Sequence, residues 1–170
     1  MMKVSNKLKP TIGFIGAGNM GLPMIKNLIK KGFQVKAYDI NPKITKRLEK
    51  DNIKAVNNLR AVASNQFIIS ILPDTQNVES VFNNDTGINS YLKPGTIVID
   101  MSTIASSSAI QIGKILQKMQ IEFLDAPVSG GVKGASNANL SIMVGGKKDT
   151  YKKSFDVLNS LGENIIYAGK

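Results

Sequence analysis

The chain has 170 residues, enough for one domain with a sizeable buried core, and it contains neither cysteine nor histidine. Those absences exclude thiol nucleophiles, disulfide bonds, imidazole bases and nearly all zinc sites, so we predict no metal. Lysine and arginine outnumber aspartate and glutamate by 22 to 12, which raises the question of an anionic partner. The lysines are nevertheless spread over several predicted helix faces without interleaved aromatic residues, so we expect no nucleic-acid partner.

The first ten residues differ in composition from the rest of the chain. Residues 1–10, MMKVSNKLKP, are basic, lack acidic side chains and are interpreted as a flexible arm in front of a single dinucleotide-binding domain over residues 11–170. They are too short to be a clear targeting segment, and no apolar run reaches the roughly 18 residues that a membrane span needs. We therefore expect a soluble protein of the cytoplasm or the mitochondrial matrix with no membrane partner.

Short β-rich runs alternate with helical stretches along the remaining sequence. The pattern predicts strands over residues 11–15, 33–38, 53–56, 67–72, 96–99, 121–124, 140–144 and 164–167. It predicts helices over residues 20–31, 42–50, 75–82, 104–119 and 148–161. A strand followed by a helix, repeated several times, predicts an α/β fold of the doubly wound Rossmann type, with a largely parallel sheet and helices on both faces.

Three glycines lie between the first predicted strand and the first predicted helix, in the pattern Gly16-x-Gly18-x-x-Gly21. In this context Gly16 would make a tight turn, Gly18 would leave room for a diphosphate, and Gly21 would let the helix approach the strand. The helix N-terminus would supply free N–H groups to the phosphates. The pattern therefore favours a dinucleotide site over the alternative, a structural turn between strand and helix.

An acidic residue follows at the spacing that such a site requires. Asp39 stands near the end of the second predicted strand, 18 residues after Gly21. A carboxylate there accepts hydrogen bonds from both ribose hydroxyls of NAD and repels the 2′-phosphate of NADP, although Lys43 would weaken that repulsion. We therefore predict NAD as the cofactor, the alternative for Asp39 being an ordinary surface side chain.

Several further motifs end predicted strands, where an open α/β sheet binds its ligands. Together with GFIGAGNMG and GLPMIKNLIKKGF, the stretches LPDTQN, IDMSTI, DAPVSGGVKGA and LSIMVGG resemble the β-hydroxyacid dehydrogenase family, and within it the 3-hydroxyisobutyrate dehydrogenases. The resemblance extends over residues 11–169. It implies NAD contacts at Gly16, Ala17, Gly18, Asn19, Met20, Gly21, Asp39, Leu72, Pro73, Asn77 and Thr103.

Each of the later contacts has a purely structural alternative. Asn77 would cap the start of a helix, and Ser102 or Thr103 would cap the helix that is predicted from residue 104. The resemblance also implies a substrate-carboxylate site at Ser129, Gly130 and Gly131, for which the alternative is a simple glycine turn.

The sequence departs from the family pattern at one position near this carboxylate site. The family usually has glycine where this chain has Ala138, in the turn before the next predicted strand. A Cβ at this position puts the geometry of the turn, and with it the fit of the substrate, in question.

The resemblance implies an NAD-dependent enzyme that oxidises a short 3-hydroxy acid, such as 3-hydroxyisobutyrate, to its semialdehyde. The family's catalytic lysine, followed by an asparagine, lies on a helix of a second, all-helical domain, and Lys170 falls short of that position. We therefore predict no catalytic residue and no turnover for these 170 residues. The C-terminal helical domain would be absent, and with it the usual basis for a homo-oligomer.

Two alternatives to this function remain open. One is an NADPH-linked reductase of glyoxylate or succinic semialdehyde from the same family, although such members tend to carry Asn-Arg where this chain has Asp39 and Ile40. The other is a non-catalytic NAD-binding module.

Overall fold

The computed structural model describes residues 9–169. Its strands are β1 (Thr11–Ile15), β2 (Gln34–Tyr38), β3 (Lys54–Ala55), β4 (Phe67–Ser70), β5 (Ile97–Asp100), β6 (Glu122–Asp125), β7 (Val128–Ser129), β8 (Leu140–Gly146) and β9 (Gly162–Gly169). Its helices are α1 (Gly21–Lys30), α2 (Pro42–Lys50), α3 (Leu59–Ala63), α4 (Thr75–Val81), α5 (Ser106–Lys118), α6 (Gly131–Asn137) and α7 (Lys148–Leu158), with a 3-10 helix at Ile88–Tyr91.

Two predictions fall wholly or partly outside this range. Residues 1–8 of the predicted basic arm and Lys170 lie outside the described residues. The division into an arm and a single domain over residues 11–170 stays a prediction.

Six strands form a parallel sheet in the order β3-β2-β1-β4-β5-β6. The chain adds strands on one side of β1 and then on the other, so the carboxyl ends of β1 and β4 flank the point where the strand order reverses. Beyond β6 the sheet continues with β8, which is antiparallel to β6 and β7 and parallel to β9. The prediction of a largely parallel, Rossmann-type sheet is confirmed.

Helices cover both faces of this sheet, as predicted. Phe14, Ile69 and Ile99 point to the face that packs against α1 and α7, where Leu28 and Leu158 are fully buried. Alternate residues of the same strands point to the opposite face, which packs against the residues Val62 of α3, Val78 of α4 and Ile112 of α5. All residues of β4 and β5 are buried, which explains their nearly continuous apolar sequences.

Four short elements are absent from the sequence prediction: α3, α6, β7 and the 3-10 helix. Helix α6 contains Gly131 and Gly134, residues of low helix propensity, and it depends on packing against α1. In that contact the side-chain amide of Asn27 donates to the carbonyl oxygen of Ala135 at 2.6 Å. Such elements have too few residues for a periodic pattern, and tertiary contacts decide their structure.

Candidate functional site

The glycine-rich loop joins β1 to α1 at the reversal point of the sheet. Gly16 has a φ of +92°, and its N–H donates to the carbonyl oxygen of Tyr38 at 2.9 Å. A Cβ on Gly16 would lie 2.2 Å from the carbonyl oxygen of Ile71, and one on Gly21 would lie 1.8 Å from that of Gly16. Both glycines are therefore required by the fold itself, and Gly21 provides the close approach of helix and strand that the motif predicts.

Gly18 differs from its two neighbours in the motif. A Cβ built on this residue has no atom within 4 Å, and its backbone is not in the left-handed region. Its carbonyl oxygen accepts from the N–H of Leu22 at 3.0 Å, which ties it to the first turn of α1. Packing against the described residues therefore does not explain the glycine, whereas a ligand lying against the open side of the loop would.

The carboxylate of Asp39 holds this loop to the end of β2. One carboxylate oxygen accepts from the N–H of Ala17 at 2.9 Å, and the other accepts from the N–H of Asn41 at 2.8 Å. The next side chain, Ile40, is 88% exposed, which is unusual for an isoleucine. Asp39 is thus a fixed, half-buried negative charge beside the glycine loop, with an exposed apolar neighbour.

A crevice of about 420 Å³ runs along this edge of the sheet. Six of the predicted site residues line it: Gly16, Gly18, Asp39, Leu72, Pro73 and Asn77. Its lining residues do not include Ala17, Asn19, Met20, Gly21, Thr103, Ser129, Gly130 or Gly131. The structure therefore brings the glycine motif, the acidic residue and the Leu-Pro stretch together in one cavity.

The crevice also has apolar walls that sequence reasoning missed. They are supplied by Ile40, Ile44, Leu59 and Val81, and they adjoin the predicted residue Leu72. None of these four residues belongs to a motif that indicates a ligand. A detectable signal was Ile40, an apolar residue placed directly after the acidic one.

The loops after β4 and β5 are joined by a buried hydrogen-bond network. The N–H of Leu72 donates to the hydroxyl of Ser102 at 2.9 Å, and this hydroxyl donates to the carboxylate of Asp100 at 2.7 Å. The hydroxyl of Ser70 donates to the same carboxylate oxygen at 2.8 Å.

The start of α5 tests the structural alternative for Ser102 and Thr103. The helix begins after Ala105, without a side-chain cap, so the interpretation of Ser102 or Thr103 as its cap is wrong.

The carboxylates at this end of the sheet have shifted pKa values. Burial raises the pKa of Asp100 to about 6, against the partly compensating effect of its two serine donors. Burial also raises the pKa of Asp125, which pairs with Asp100 in the register of β5 and β6. Both carboxyls hold their protons more tightly than exposed aspartates do.

Asn77 lies in the first turn of α4 and is not its cap. Asp74 is the cap residue and accepts from the N–H of Asn77 at 2.8 Å, which helps to hold the Asp74 pKa below its usual value. The side-chain amide of Asn77 donates back to both oxygens of Asp74 at 2.8 Å. The structural alternative for Asn77 is therefore wrong in detail, although the side chain does support the cap.

The predicted carboxylate site lies at the start of α6. Ser129 ends β7, Gly130 precedes the helix with a φ of +130°, and Gly131 begins it with a φ of +59°. All three residues are exposed. Both glycines adopt conformations that other residues rarely do, so this strand-to-helix connection is enough to explain them, and the alternative of a structural glycine turn stays open.

Comparison with known proteins identifies the family. A family model described as the NAD binding domain of 6-phosphogluconate dehydrogenase matches residues 11–169. The chain belongs to this family. The resemblance to the β-hydroxyacid dehydrogenases is confirmed by sequence relatives of this NAD-binding domain, among them the mitochondrial 3-hydroxyisobutyrate dehydrogenase of Mus musculus. That protein is 39% identical over 162 residues, which cover 95% of this chain and 48% of the relative.

Two further relatives of this NAD-binding domain extend the comparison. The NAD-dependent L-serine dehydrogenase of Pseudomonas aeruginosa is 38% identical over 159 residues, or 93% of this chain and 53% of that protein. The structure of Mycobacterium tuberculosis 3-hydroxyisobutyrate dehydrogenase with L-serine superposes with a TM-score of 0.89 at 34% identity, over 94% of this chain and 54% of that one. The NAD-binding domain therefore spans about half the length of these relatives.

The residues of the crevice fit the dinucleotide that the family implies. The open side of Gly18 can accommodate a diphosphate at the start of α1, and the Asp39 carboxylate can accept from a ribose. Within residues 9–169, no helix is long and apolar enough to cross a membrane. The same residues contain no group of three or more acidic side chains placed to hold a metal ion.

Proposed function

We propose that NAD binds in the crevice, with its diphosphate against Gly18 and its adenosine ribose at Asp39. The observation that carries this proposal is the combination of an open glycine and a fixed carboxylate in one cavity. Each carboxylate oxygen has two lone pairs, so Asp39 can keep its bonds to Ala17 and Asn41 while accepting from the ribose hydroxyls. The apolar walls near Ile40 would receive the adenine ring.

The other half of the cofactor would extend toward the carboxyl ends of β4 and β5. We assign its contacts to Leu72, Pro73, Asn77 and Thr103, of which the first three share the crevice with Asp39. Ala17, Asn19, Met20 and Gly21 would contribute through the main chain of the loop. Thr103 is exposed on the loop after β5, so it would approach the ligand from outside the crevice walls.

We further propose that the chain is the cofactor-binding part of an oxidoreductase acting on a short 3-hydroxy acid, such as 3-hydroxyisobutyrate. The names of the mouse and Pseudomonas relatives support this class, because L-serine also carries its hydroxyl on carbon 3. Bound NAD would accept hydride from the carbinol carbon of the substrate. Ser129, Gly130 and Gly131 would bind the substrate carboxylate, and the cytoplasm or mitochondrial matrix would be the compartment.

Among residues 9–169, no residue that lines the crevice is suited to accept the proton of the substrate hydroxyl. The lining within this range includes no lysine, and Asp39 is already bonded to the main chain. We therefore expect the 170-residue chain to bind NAD without turning over 3-hydroxyisobutyrate or L-serine. Measurable NADH formation in a steady-state assay would contradict this, and Lys133 and Lys93 would then be the first candidates for the base.

The binding proposal is tested by Gly18→Val. Because no atom of residues 9–169 lies within 4 Å of a Cβ at this position, the variant is expected to keep the unfolding free energy of the parent within about 0.5 kcal/mol. Its branched side chain would occupy the space of the diphosphate, so titration calorimetry should detect no NAD binding. Gly145→Ala is the control, since its Cβ lies 3.7 Å from the carbonyl oxygen of Asp125 and outside the crevice. Equal NAD affinity in both variants would refute the site.

The cofactor preference is tested separately. With the Asp39 carboxylate on the crevice wall, we expect NADH to bind at least about tenfold more tightly than NADPH. A preference for NADPH would instead support the alternative function, a reductase of glyoxylate or succinic semialdehyde.

A further inference from the structure

Asp100 is a buried carboxylate whose arrangement the cofactor crevice does not explain. Its side chain is fully buried at the end of β5 and does not line the crevice. One of its oxygens, Oδ1, accepts from both the Ser70 and Ser102 hydroxyls, and from the N–H of Ser102 at 3.4 Å. The other, Oδ2, has no hydrogen-bond partner among the described residues.

An acceptor in this position is costly unless it serves a purpose. A buried polar atom without a partner lowers the stability of a fold, and a buried charge does so more strongly. The neighbouring carboxyl of Asp125 on β6 adds a repulsive contribution. An apolar side chain in place of Asp100 would avoid these costs, so the carboxylate requires another explanation.

The Asp100 carboxylate fixes the position of the Ser102 hydroxyl. Two main-chain hydrogen bonds end the pairing of β4 with its neighbours. The N–H of Ile71 donates to the carbonyl oxygen of Ile15 after β1, and the N–H of Met101, after β5, donates to the carbonyl oxygen of Ser70. Immediately beyond, the Ser102 hydroxyl accepts from the N–H of Leu72, which is 30 residues away in sequence.

Leu72 is the only member of the Leu-Pro pair that can make such a bond, because Pro73 has no N–H. The Ser102 hydroxyl must therefore donate elsewhere in order to keep a lone pair directed at Leu72. The Asp100 carboxylate accepts that hydrogen.

We propose that Asp100 is a positioning residue for the nicotinamide half of the cofactor. By fixing the hydroxyl of Ser102, it holds the loop of Leu72 and Pro73 against the loop that carries Thr103. Asp100 itself contacts no cofactor. The inference rests on the proposed function, because that function assigns Leu72, Pro73 and Thr103 to this half.

The experiment compares NADH with ADP, which contains the adenosine and diphosphate but lacks the nicotinamide half. We expect Ser102→Ala to weaken NADH binding about tenfold and ADP binding by less than about twofold. Ser70→Ala is the matched control, since it also removes one buried hydroxyl from Asp100 but leaves Leu72 bonded. It should change both affinities by less than about twofold.

Conservative variants supply a second test. Asp100→Ala removes the acceptor and should reproduce the loss of NADH affinity, whereas Asp100→Asn keeps an acceptor oxygen and should restore most of it. Thermal unfolding monitored by circular dichroism would show which variants are folded. If one alanine variant does not fold, the other decides.

Three results would overturn the proposal. One is an equal change of NADH and ADP affinity in Ser102→Ala, and another is an effect of the same size in Ser70→Ala. The third is a failure of both Ser102→Ala and Asp100→Ala to fold, because the network would then support the fold rather than the two loops. If the parent chain binds neither ADP nor NADH, the proposed function fails, and this result is distinct from the other three.

Discussion

The glycine-rich loop and the two loops after β4 and β5 lie at the same edge of the sheet but are held there by different contacts. We call the latter the paired loops, because a hydrogen bond between Leu72 and Ser102 joins them. Backbone contacts fix the first, since Gly16 and Gly21 permit approaches that a Cβ would block. Buried side chains fix the second, through Asp100, Ser102 and an amide 30 residues away. A local constraint leaves a recognisable spacing in the sequence, whereas a constraint between distant residues leaves no such pattern.

The largest effect is expected from breaking the local constraint at Gly21. In Gly21→Ala the new Cβ would lie 1.8 Å from the carbonyl oxygen of Gly16 and 3.1 Å from a ring carbon of Phe14. The main chain of Gly16 and the ring of Phe14 would have to move, so we expect a loss of about 3 kcal/mol in the free energy of unfolding. Urea denaturation would measure it.

The comparison is sharpened by making the same change at Gly18. Gly18→Ala adds the same methyl group in the same loop, but with no atom within 4 Å. Its stability should therefore stay within about 0.5 kcal/mol of the parent. Similar losses of stability in Gly21→Ala and Gly18→Ala would show that any side chain destabilises this loop. The close contacts around Gly21 would then not be the cause.

The network that joins the paired loops should make the free energy of unfolding depend on pH, because it contains the buried Asp100. The folded-state pKa of Asp100 is about 6 against an ordinary 3.8, so the native chain binds this proton more tightly than the unfolded chain. The contribution of Asp100 to the free energy of unfolding is then greatest below about pH 4 and falls as the pH rises to about 6, by roughly 3 kcal/mol at 1.36 kcal/mol per pKa unit. Asp100→Asn should remove this fall.

The measurement is the difference between the unfolding free energies of the parent and of Asp100→Asn, followed from pH 4 to pH 7 at about half-unit steps. Asp74 provides a control of opposite sign, because its pKa is lowered by the N–H and side chain of Asn77. Its contribution is present above the ordinary pKa and is lost as the pH falls. Parallel curves for the parent and Asp100→Asn would contradict the assigned burial.

The same distinction explains which parts of the fold the sequence predicted. Strands β1, β4 and β5, buried on both faces, have apolar sequences that identify them, and the alternation with helices predicts the parallel sheet. The sequence does not predict helix α6, because its glycines disfavour a helix and because Asn27, which bonds to it, lies far away in the sequence. The antiparallel pairing of β8 likewise depends on contacts that no local pattern reports.

The candidate site divides in the same way. The spacing of the motif predicts that Gly18 and Asp39 lie close together, and both residues line the crevice. They do so because Gly18 follows β1, Asp39 follows β2, and these two strands are neighbours in the sheet. The motif spacing does not reveal the role of Ser102, for which the sequence offers only a helix cap, as the structural alternative, from its place just before a predicted helix. Only the register of β4 and β5 shows that Ser102 lies opposite Leu72 and above Asp100.

A change at Asp39 tests whether the charge beside the glycine loop selects the cofactor. Asp39→Asn removes that charge but retains one acceptor oxygen, so we expect the ratio of NADPH to NADH affinity to rise about tenfold. Loss of one of the two main-chain bonds should also cost about 1 kcal/mol of stability. Fluorescence titration with both nucleotides measures the ratio.

The control for this charge effect is Asp51→Asn. Asp51 caps the end of α2 and forms an ion pair with Lys26 at 2.6 Å, so the variant changes the net charge equally at a site that does not line the crevice. It should leave the ratio unchanged. An equal response in both variants would mean that the overall charge, rather than the position of Asp39, determines the preference.

The smallest effect is expected at Ala138, because the backbone conformation at this position suits glycine better than alanine. Ala138 ends α6 in the left-handed conformation, at φ 56° and ψ 33°, which a Cβ disfavours. Ala138→Gly should therefore stabilise the chain by about 1 kcal/mol, whereas Ala135→Gly, inside the same helix, should destabilise it by a similar amount. Thermal unfolding would compare the two. Because this turn lies apart from both the glycine loop and the paired loops, NADH affinity should not change, and a gain in affinity from Ala138→Gly would show that the turn is coupled to the cofactor crevice.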